Sequence, residues 1–304
     1  MSKSPKPILI ILSFLAIYVI WGSTYLCNKI AVTQIAPLYL ASIRFVLAGM
    51  LIFIIAKVMG HSLKINKRQL VNSTIAGFLF LVYGNGVFVW CLRYVDSNFA
   101  ALEASIQPLV VLVLMWALYG NKISSKAIIG VILGVIGMYL LVGQEELLTS
   151  KESLWSIIVM FTCIVSWAYG SIFVSRVELP KNYFISTAYQ MVIGGAMLLI
   201  FSQLLGESWL APKEWETDTM WAMVLLITFG GVIAFTAFNY LLQHVPAEKV
   251  ATAAYVNPII AMILGWYILN ERISGQSIIA AIILLTAVYF INSKKPIRIR
   301  FKGR

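Results

Sequence analysis

Apolar residues run along this chain in ten long blocks, each ended by a short break rich in polar, glycine or proline residues. The blocks lie near 7 to 27, 38 to 57, 69 to 91, 98 to 118, 125 to 143, 154 to 175, 184 to 205, 220 to 241, 250 to 269 and 275 to 292. Each matches the roughly 20 apolar residues that an α-helix needs to cross a hydrocarbon core. The pattern predicts ten membrane-spanning helices joined by short loops, and 304 residues leave no room for a soluble domain beside them. The first block follows Lys3 and Lys6, as in a signal peptide. It is long, however, lacks an Ala-x-Ala cleavage site and is followed by further blocks, so it reads as an uncleaved first helix.

A second regularity is internal. Arg93 to Gly143 align with Gln243 to Ser293 at a constant offset of 150 without a gap, with identities that include Val95/Val245, Ala101/Ala251, Pro108/Pro258, Trp116/Trp266 and Tyr139/Tyr289. Duplication is the simplest cause. Five spans per copy is an odd number, so a second copy in the same membrane enters from the opposite side, an arrangement typical of secondary transporters. The predicted fold is therefore an all-α integral membrane protein of ten transmembrane helices, two inverted five-helix repeats around a central cavity. Residues 1–146 would form the first repeat, and 147–304 the second with a basic cytoplasmic tail.

Composition agrees: 61% of residues are hydrophobic, 12% are charged and the mean hydropathy is +0.89, far from soluble-domain usage. Charge placement then sets the orientation, because cytoplasmic loops collect Lys and Arg. With the N-terminus inside, inner segments hold 17 positive residues, among them Lys57, Lys64, Lys67, Arg68, Lys122, Lys126, Arg176, Lys181, Lys249 and the tail from Lys294 to Arg304. Outer segments hold Lys29, Arg93, Lys151, Lys213 and Arg272, and most of the acids. Both termini are expected in the cytoplasm, in a multi-pass protein of the cytoplasmic membrane. The net charge of +11 is then a topology signal plus a tail suited to anionic lipid, and it does not call for nucleic acid.

The chemistry the spans carry is sparse. Cys27, Cys91 and Cys163 lie in or beside apolar blocks and are expected as free, buried thiols. His61 and His244 stand in distant loops with no carboxylate cluster, so neither a metal nor another cofactor is expected. There is no Gly-x-Ser-x-Gly elbow, no His-Glu-x-x-His and no phosphate loop, which argues against an intramembrane enzyme.

Two formal charges remain inside the blocks, Arg44 and Glu103, at similar predicted depths. A charge in hydrocarbon costs at least about 2.5 to 3.5 kcal/mol, so each needs a partner or water. A structural Arg44–Glu103 ion pair is one reading, with Arg44 snorkelling outward as a variant. The other keeps Glu103 facing water, taking up a proton or contacting a cationic substrate group. Glu103 and Gln107, at i and i+4, would share one helix face. Pro108 follows, and the ninth block repeats the motif as Asn257–Pro258. Paired amide–proline motifs at mid-depth suit a central site, because irregular backbone is tolerated there only when it faces protein or water.

Tyr83, Gly84, Asn85 and Gly86 weaken the third helix midway, which predicts either a local break with Asn85 facing a cavity or close packing through the glycines. Asn239 and Tyr240 sit at the matching end of the eighth block, either at the site or in an interfacial belt. Trp21 and Trp167 occupy corresponding places in the first and sixth blocks. Thr24 and Asn28 continue one face, Ser171 and Ser175 the other. Gly130, Gly134 and Gly137 form a smooth packing seam in the fifth.

With these residues in order, the sequence resembles the drug/metabolite transporter superfamily, specifically its ten-span exporters with two EamA domains. The resemblance covers essentially the whole chain and rests on Trp21-Gly22-Ser23-Thr24-Tyr25, Pro37 followed by Arg44-Phe45, Gly84-Asn85-Gly86, Ser166 to Ser171, and Tyr255-Val256-Asn257-Pro258 leading to Asn270 to Ser274. It implies a basket of helices, a cavity lined mainly by spans 1, 3, 4, 6, 8 and 9, and outward movement of small organic metabolites. Two positions depart from the family pattern: Asn121 stands where the second copy has the acid Glu271, and Glu103 stands where a small or apolar residue is expected.

The expected activity is secondary active export of amino acids or related amphipathic compounds, with drugs as a further class, by alternating access. The expected substrate contacts are Trp21, Tyr83, Asn85, Glu103, Gln107, Trp167, Asn239, Tyr240, Tyr255 and Asn257. Pro108 and Pro258 would shape the helices, and Glu103 with Arg44 would serve coupling or an ion pair. The partners implied are a small solute, membrane lipid and a coupling proton, in a monomer or weak homodimer. A facilitator or importer of a similar solute is the alternative, with a membrane-embedded enzyme behind it.

Overall fold

The structure, a computed structural model, describes residues 7–120, 125–142 and 151–292. Among these residues there are only helices and their connections, with no strand. The order is α1 (Pro7–Ala31), α2 (Pro37–Val58), α3 (Lys67–Cys91), α4 (Ser97–Ala104), α5 (Gln107–Tyr119), α6 (Ser125–Val142), α7 (Lys151–Val174) and α8 (Tyr183–Leu204). Then come α9 (Thr217–His244), α10 (Ala247–Val250), a 3-10 segment (Ala251–Tyr255), α11 (Asn257–Leu269) and α12 (Gly275–Asn292). Seven helical runs are long and apolar enough to cross a membrane, the run Phe99–Tyr119 counting as one, and Ile128–Gly137, Asn257–Leu269 and Gly275–Ala287 are shorter apolar helices.

Local sequence explains the helix ends. Pro37 opens α2, where its missing N–H leaves no bond unmade. Asn66 and Gln69 form a reciprocal capping box at the start of α3, and Asn182 caps α8 through the N–H groups of Phe184 and Ile185. α5 ends on Gly120 (φ 65°) and α11 on Asn270 (φ 54°), two left-handed caps 150 residues apart, filled by the two residue types that tolerate that conformation.

Two long helices widen midway. Phe78–Val87 in α3 and Leu226–Phe235 in α9 are π-helical, and each holds a glycine pair, Gly84/Gly86 and Gly230/Gly231. Around Tyr83–Gly86, where the sequence predicts either a local break or close packing through the glycines, the helix is bulged but continuous, with neighbours close to both glycines. The fourth predicted span does break, at Ser105–Ile106, so Pro108 stands in the first turn of α5 instead of kinking a single rod. The ninth breaks through its 3-10 segment, and Pro258 occupies the same place in α11.

The most extensive pairings are α2 with α8 and α6 with α12. Glycine sets the first. A Cβ on Gly49 would stand 2.7 Å from Val192 Cγ2, and a Cβ on Gly195 would stand 2.7 Å from Val46 Cγ2. The two contacts are reciprocal under one shift of 146 residues, and a step forward on α2 is a step back on α8, so the helices cross antiparallel about a local two-fold. Other contacts repeat the exchange: α1 packs on α9 and α11, and α7 packs on α3 and α5. The buried aromatics Phe80, Phe235 and Phe238 gather around Trp21 and Trp167 at the centre.

Candidate functional site

The bulges and breaks all face one cavity of about 920 Å³, counting its open part. α1 contributes Trp21, Thr24, Tyr25 and Asn28, and α2 contributes Arg44 and Phe45. From α3 and its end come Leu81, Gly84, Asn85, Phe88, Val89 and Leu92, with Ala104 and Gln107 either side of the α4–α5 break. α7 adds Cys163, Ile164 and Trp167, α9 adds Gly230 and Phe235, and Ala254 and Asn257 flank the start of α11. Seven predicted spans therefore meet the cavity, and the second, carrying Arg44 and Phe45, joins the six expected.

The polar groups are positioned from the backbone up. Widening α3 brings Asn85 onto the cavity, where its Oδ1 accepts a hydrogen bond from Arg44 Nη2. Arg44 is 4% exposed, its guanidinium carbon lies 4.3 Å from the centre of the Phe45 ring, and its Nε has no partner. Asn28 donates to Thr24 O at 2.8 Å, which leaves its buried Oδ1 without a donor. In the amide orientation that satisfies its surroundings, Asn257 donates to Tyr18 O at 2.9 Å and Ala253 O at 3.1 Å, closing the α11 break onto α1. Trp21 meets Trp167 edge to face, centroids 5.6 Å apart, and Phe238 at 5.0 Å.

Of the predicted contacts, Trp21, Asn85, Gln107, Trp167 and Asn257 come together here. Five others do not. Glu103 is fully buried outside the cavity, and both its carboxylate oxygens lack a hydrogen-bond partner. It shares no face with Gln107, because the helix ends between them. The Arg44–Glu103 ion pair is absent: among the described residues Arg44 pairs with no carboxylate, whereas Arg68 and Glu178 pair at 3.9 Å on the surface. Tyr83 turns away and meets the Thr162 hydroxyl at 3.0 Å. Asn239 is tied down inside the bundle, accepting from Gln190 Nε2 at 3.0 Å and donating to Phe235 O at 3.1 Å. Tyr240 packs against Tyr183 and His244 at 5.1 and 4.3 Å. The side chain of Tyr255 lies outside the described residues. Pro108 and Pro258 are buried at the two helix starts.

Sequence reasoning missed Tyr25, Phe45, Cys163 and Phe235 as lining groups. Tyr25 and Phe45 adjoin Thr24 and Arg44, so the signal was adjacency. Cys163 offered none, although its expected state holds: the three cysteines are buried free thiols. Of the expected hydroxyl stripes, Thr24 and Asn28 reach the cavity. Ser171 and Ser175 bond back to Trp167 O and Ile172 O instead.

The molecule's two ends differ. At one, Glu271 Oε1 accepts from Ser97 N at 3.1 Å and Ser97 Oγ at 2.8 Å, capping α4, while Lys29 Nζ donates to Leu92 O and Val95 O at 2.8 Å each. Glu207 caps α2 there through Leu38 N and Tyr39 N at 3.2 and 2.9 Å, and Trp209 stacks on Tyr39. At the other end, a pocket of about 790 Å³ is lined by Met115, Ser175, Arg176 and Leu242 to Ala247. Ala247 stands where the first copy has Ser97; Asn121, the counterpart of Glu271, lies outside the described residues.

The sequence matches the EamA-like transporter family twice, over residues 8–143 and 154–293. It is 32% identical over 289 residues to the uncharacterized inner membrane transporter YedA of Escherichia coli, covering 93% of this chain and 92% of that protein. It is 22% identical to the uncharacterized transporter YoaV of Bacillus subtilis, covering 92% and 95%. A crystal structure at 18% identity aligns over 92% of this chain and 95% of its own with a TM-score of 0.69, a likeness of fold alone.

Proposed function

Because this chain belongs to the EamA-like transporter family, and so is a multi-pass membrane transporter and not an enzyme, we propose that it exports small organic metabolites by alternating access. Amino acids and related amphipathic compounds are the favoured cargo, with drugs as a further class. The observation that carries this reading is the central cavity, lined from both matched segments by aromatic rings, amides and one guanidinium. Such a lining, mostly apolar with a few placed polar groups, is what a small-solute site requires.

The two matched segments, the reciprocal Gly49/Val192 and Val46/Gly195 contacts and the paired π-segments support ten spans in two inverted repeats, 1–146 and 147–304. The Lys and Arg distribution supports cytoplasmic termini. By the relative named as an inner membrane transporter, the location is the cytoplasmic membrane. The working unit is a monomer or weak homodimer, and protons are the coupling ion, with Glu103 as the carrier next to the cavity residue Ala104.

One observation favours a facilitator as the second reading: among the described residues no carboxylate or imidazole lines the cavity. Purified chain in liposomes, tested for uptake of labelled amino acids, nucleosides and cationic dyes with and without a pH gradient, separates the two. Gradient-dependent accumulation supports coupled export, equilibration without accumulation supports the facilitator, and chemically altered solute would revive an enzyme.

A further inference from the structure

The charge of the cavity is opposite in sign to what Glu103 led one to expect. With that acid buried elsewhere, Arg44 is the single formally charged residue among the described residues that line the cavity. It is 96% buried, bonded to a neutral amide and set beside a phenyl ring, and its Nε is unpartnered. A buried cation without a counter-ion is costly, and a fork of N–H donors matches a carboxylate in shape as well as charge. The same cavity is lined by Trp21, Trp167 and Phe235, whose rings form a continuous apolar wall with centroids 5.6 and 6.2 Å apart. Asn28 Oδ1, also buried and without a donor, adds one acceptor.

From this we propose that the cargo is a small organic carboxylate with an apolar or aromatic body, its anionic end held by Arg44 and its body against the tryptophans. This rests on the transport reading and sharpens it. An amine enters such a cavity without a counter-charge, and a neutral amide of the same shape gives up the charge-assisted bonds. Arg44 would thus be a specificity-determining residue, its charge met by cargo and not by the protein.

The test uses the full chain in proteoliposomes and three probes of one size: phenylacetate, phenylacetamide and phenethylamine. Calorimetric binding and counterflow are measured for each. The expected result is that phenylacetate binds more tightly than the amide by about tenfold or more, and more tightly still than the amine. Arg44→Gln removes the preference, whereas Arg44→Lys, which keeps the charge but not the fork, retains part of it. A purely structural role for Arg44 would change stability in both variants and leave the probe ratio intact, overturning the inference. Equal binding of all three, preference for the amine, or binding of none also overturns it. Counterflow of amine or amide without charge selectivity would sink the inference while leaving the transport reading standing, and absence of flux for every solute class would remove that reading as well.

Discussion

Glu271 holds Ser97 by two groups at once, taking its backbone N–H at 3.1 Å and its hydroxyl at 2.8 Å. The residues are 174 positions apart, so one carboxylate from the second half caps the helix that begins the fourth span of the first. The capping charge sits at the positive end of α4, where an anion is most effective. Gly265 makes the fit possible, since a Cβ there would collide with the Glu271 carboxylate.

Loss of that clasp should loosen one end of the molecule. Glu271→Gln keeps the shape and removes the charge, Ser97→Ala removes one donor, and each should cost roughly 1 to 2 kcal/mol. The expected signature is a lower unfolding temperature together with faster modification of a cysteine introduced at Asp96. The opposite end has Ala247 at the corresponding place, so Ala247→Ser should leave both readings within error.

Much of this architecture could be read from sequence, but which way each helix faces could not. Long apolar runs report a span without reporting its rotation, so α2 and α3 could be placed while the bond from Arg44 to Asn85 could not. The helix-weakening run Tyr83 to Gly86 was visible, yet whether it breaks or widens depends on what packs there. A Cβ on Gly86 would collide with Leu198, and one on Gly84 would stand 3.2 Å from Trp167, so neighbouring helices close against the widened segment. Pairing Glu103 with Gln107 assumed one continuous helix. The Ser105–Ile106 break removes that assumption, and the acid ends in the bundle while the amide reaches the cavity.

The crossing of α2 and α8 should respond symmetrically to added methyl groups. Gly49→Ala and Gly195→Ala each push a Cβ to 2.7 Å from a valine methyl, with Val192 N and Val46 N also at 3.0 and 2.9 Å. Neither backbone neighbour can rotate away, so each variant should lose about 1 to 3 kcal/mol. Similar losses in thermal unfolding check the local two-fold, and a large difference between the two would contradict it. Gly275→Ala, which meets nothing within 4 Å, is the control.

Glu103 offers a cleaner separation of coupling from carriage. Its oxygens meet no donor, so Glu103→Gln removes no hydrogen bond and should leave the fold and its stability largely unchanged. If the carboxyl carries the coupling proton, accumulation driven by a pH gradient disappears while counterflow at equal pH persists. Unchanged accumulation would take the proton away from this residue and leave the facilitator reading ahead.

Asn85→Asp tests the cavity's charge from inside the protein. Asn85 Oδ1 already accepts from Arg44, so a carboxylate there supplies the counter-ion without moving an atom. A like-shaped pair in this setting should hold or raise the unfolding temperature, since it neutralises a buried cation that has only neutral partners among the described residues. It should also compete with cargo for the same guanidinium. Phenylacetate binding is therefore expected to fall at least about tenfold, while phenylacetamide, which never relied on the charge, should bind as before. Asn85→Leu is the counterpart: it leaves Arg44 without its acceptor, lowers stability by about 1 to 3 kcal/mol and spares the carboxylate preference. A variant that stays folded, carries the new acid beside Arg44 and still prefers phenylacetate would mean that cargo is read by some other group.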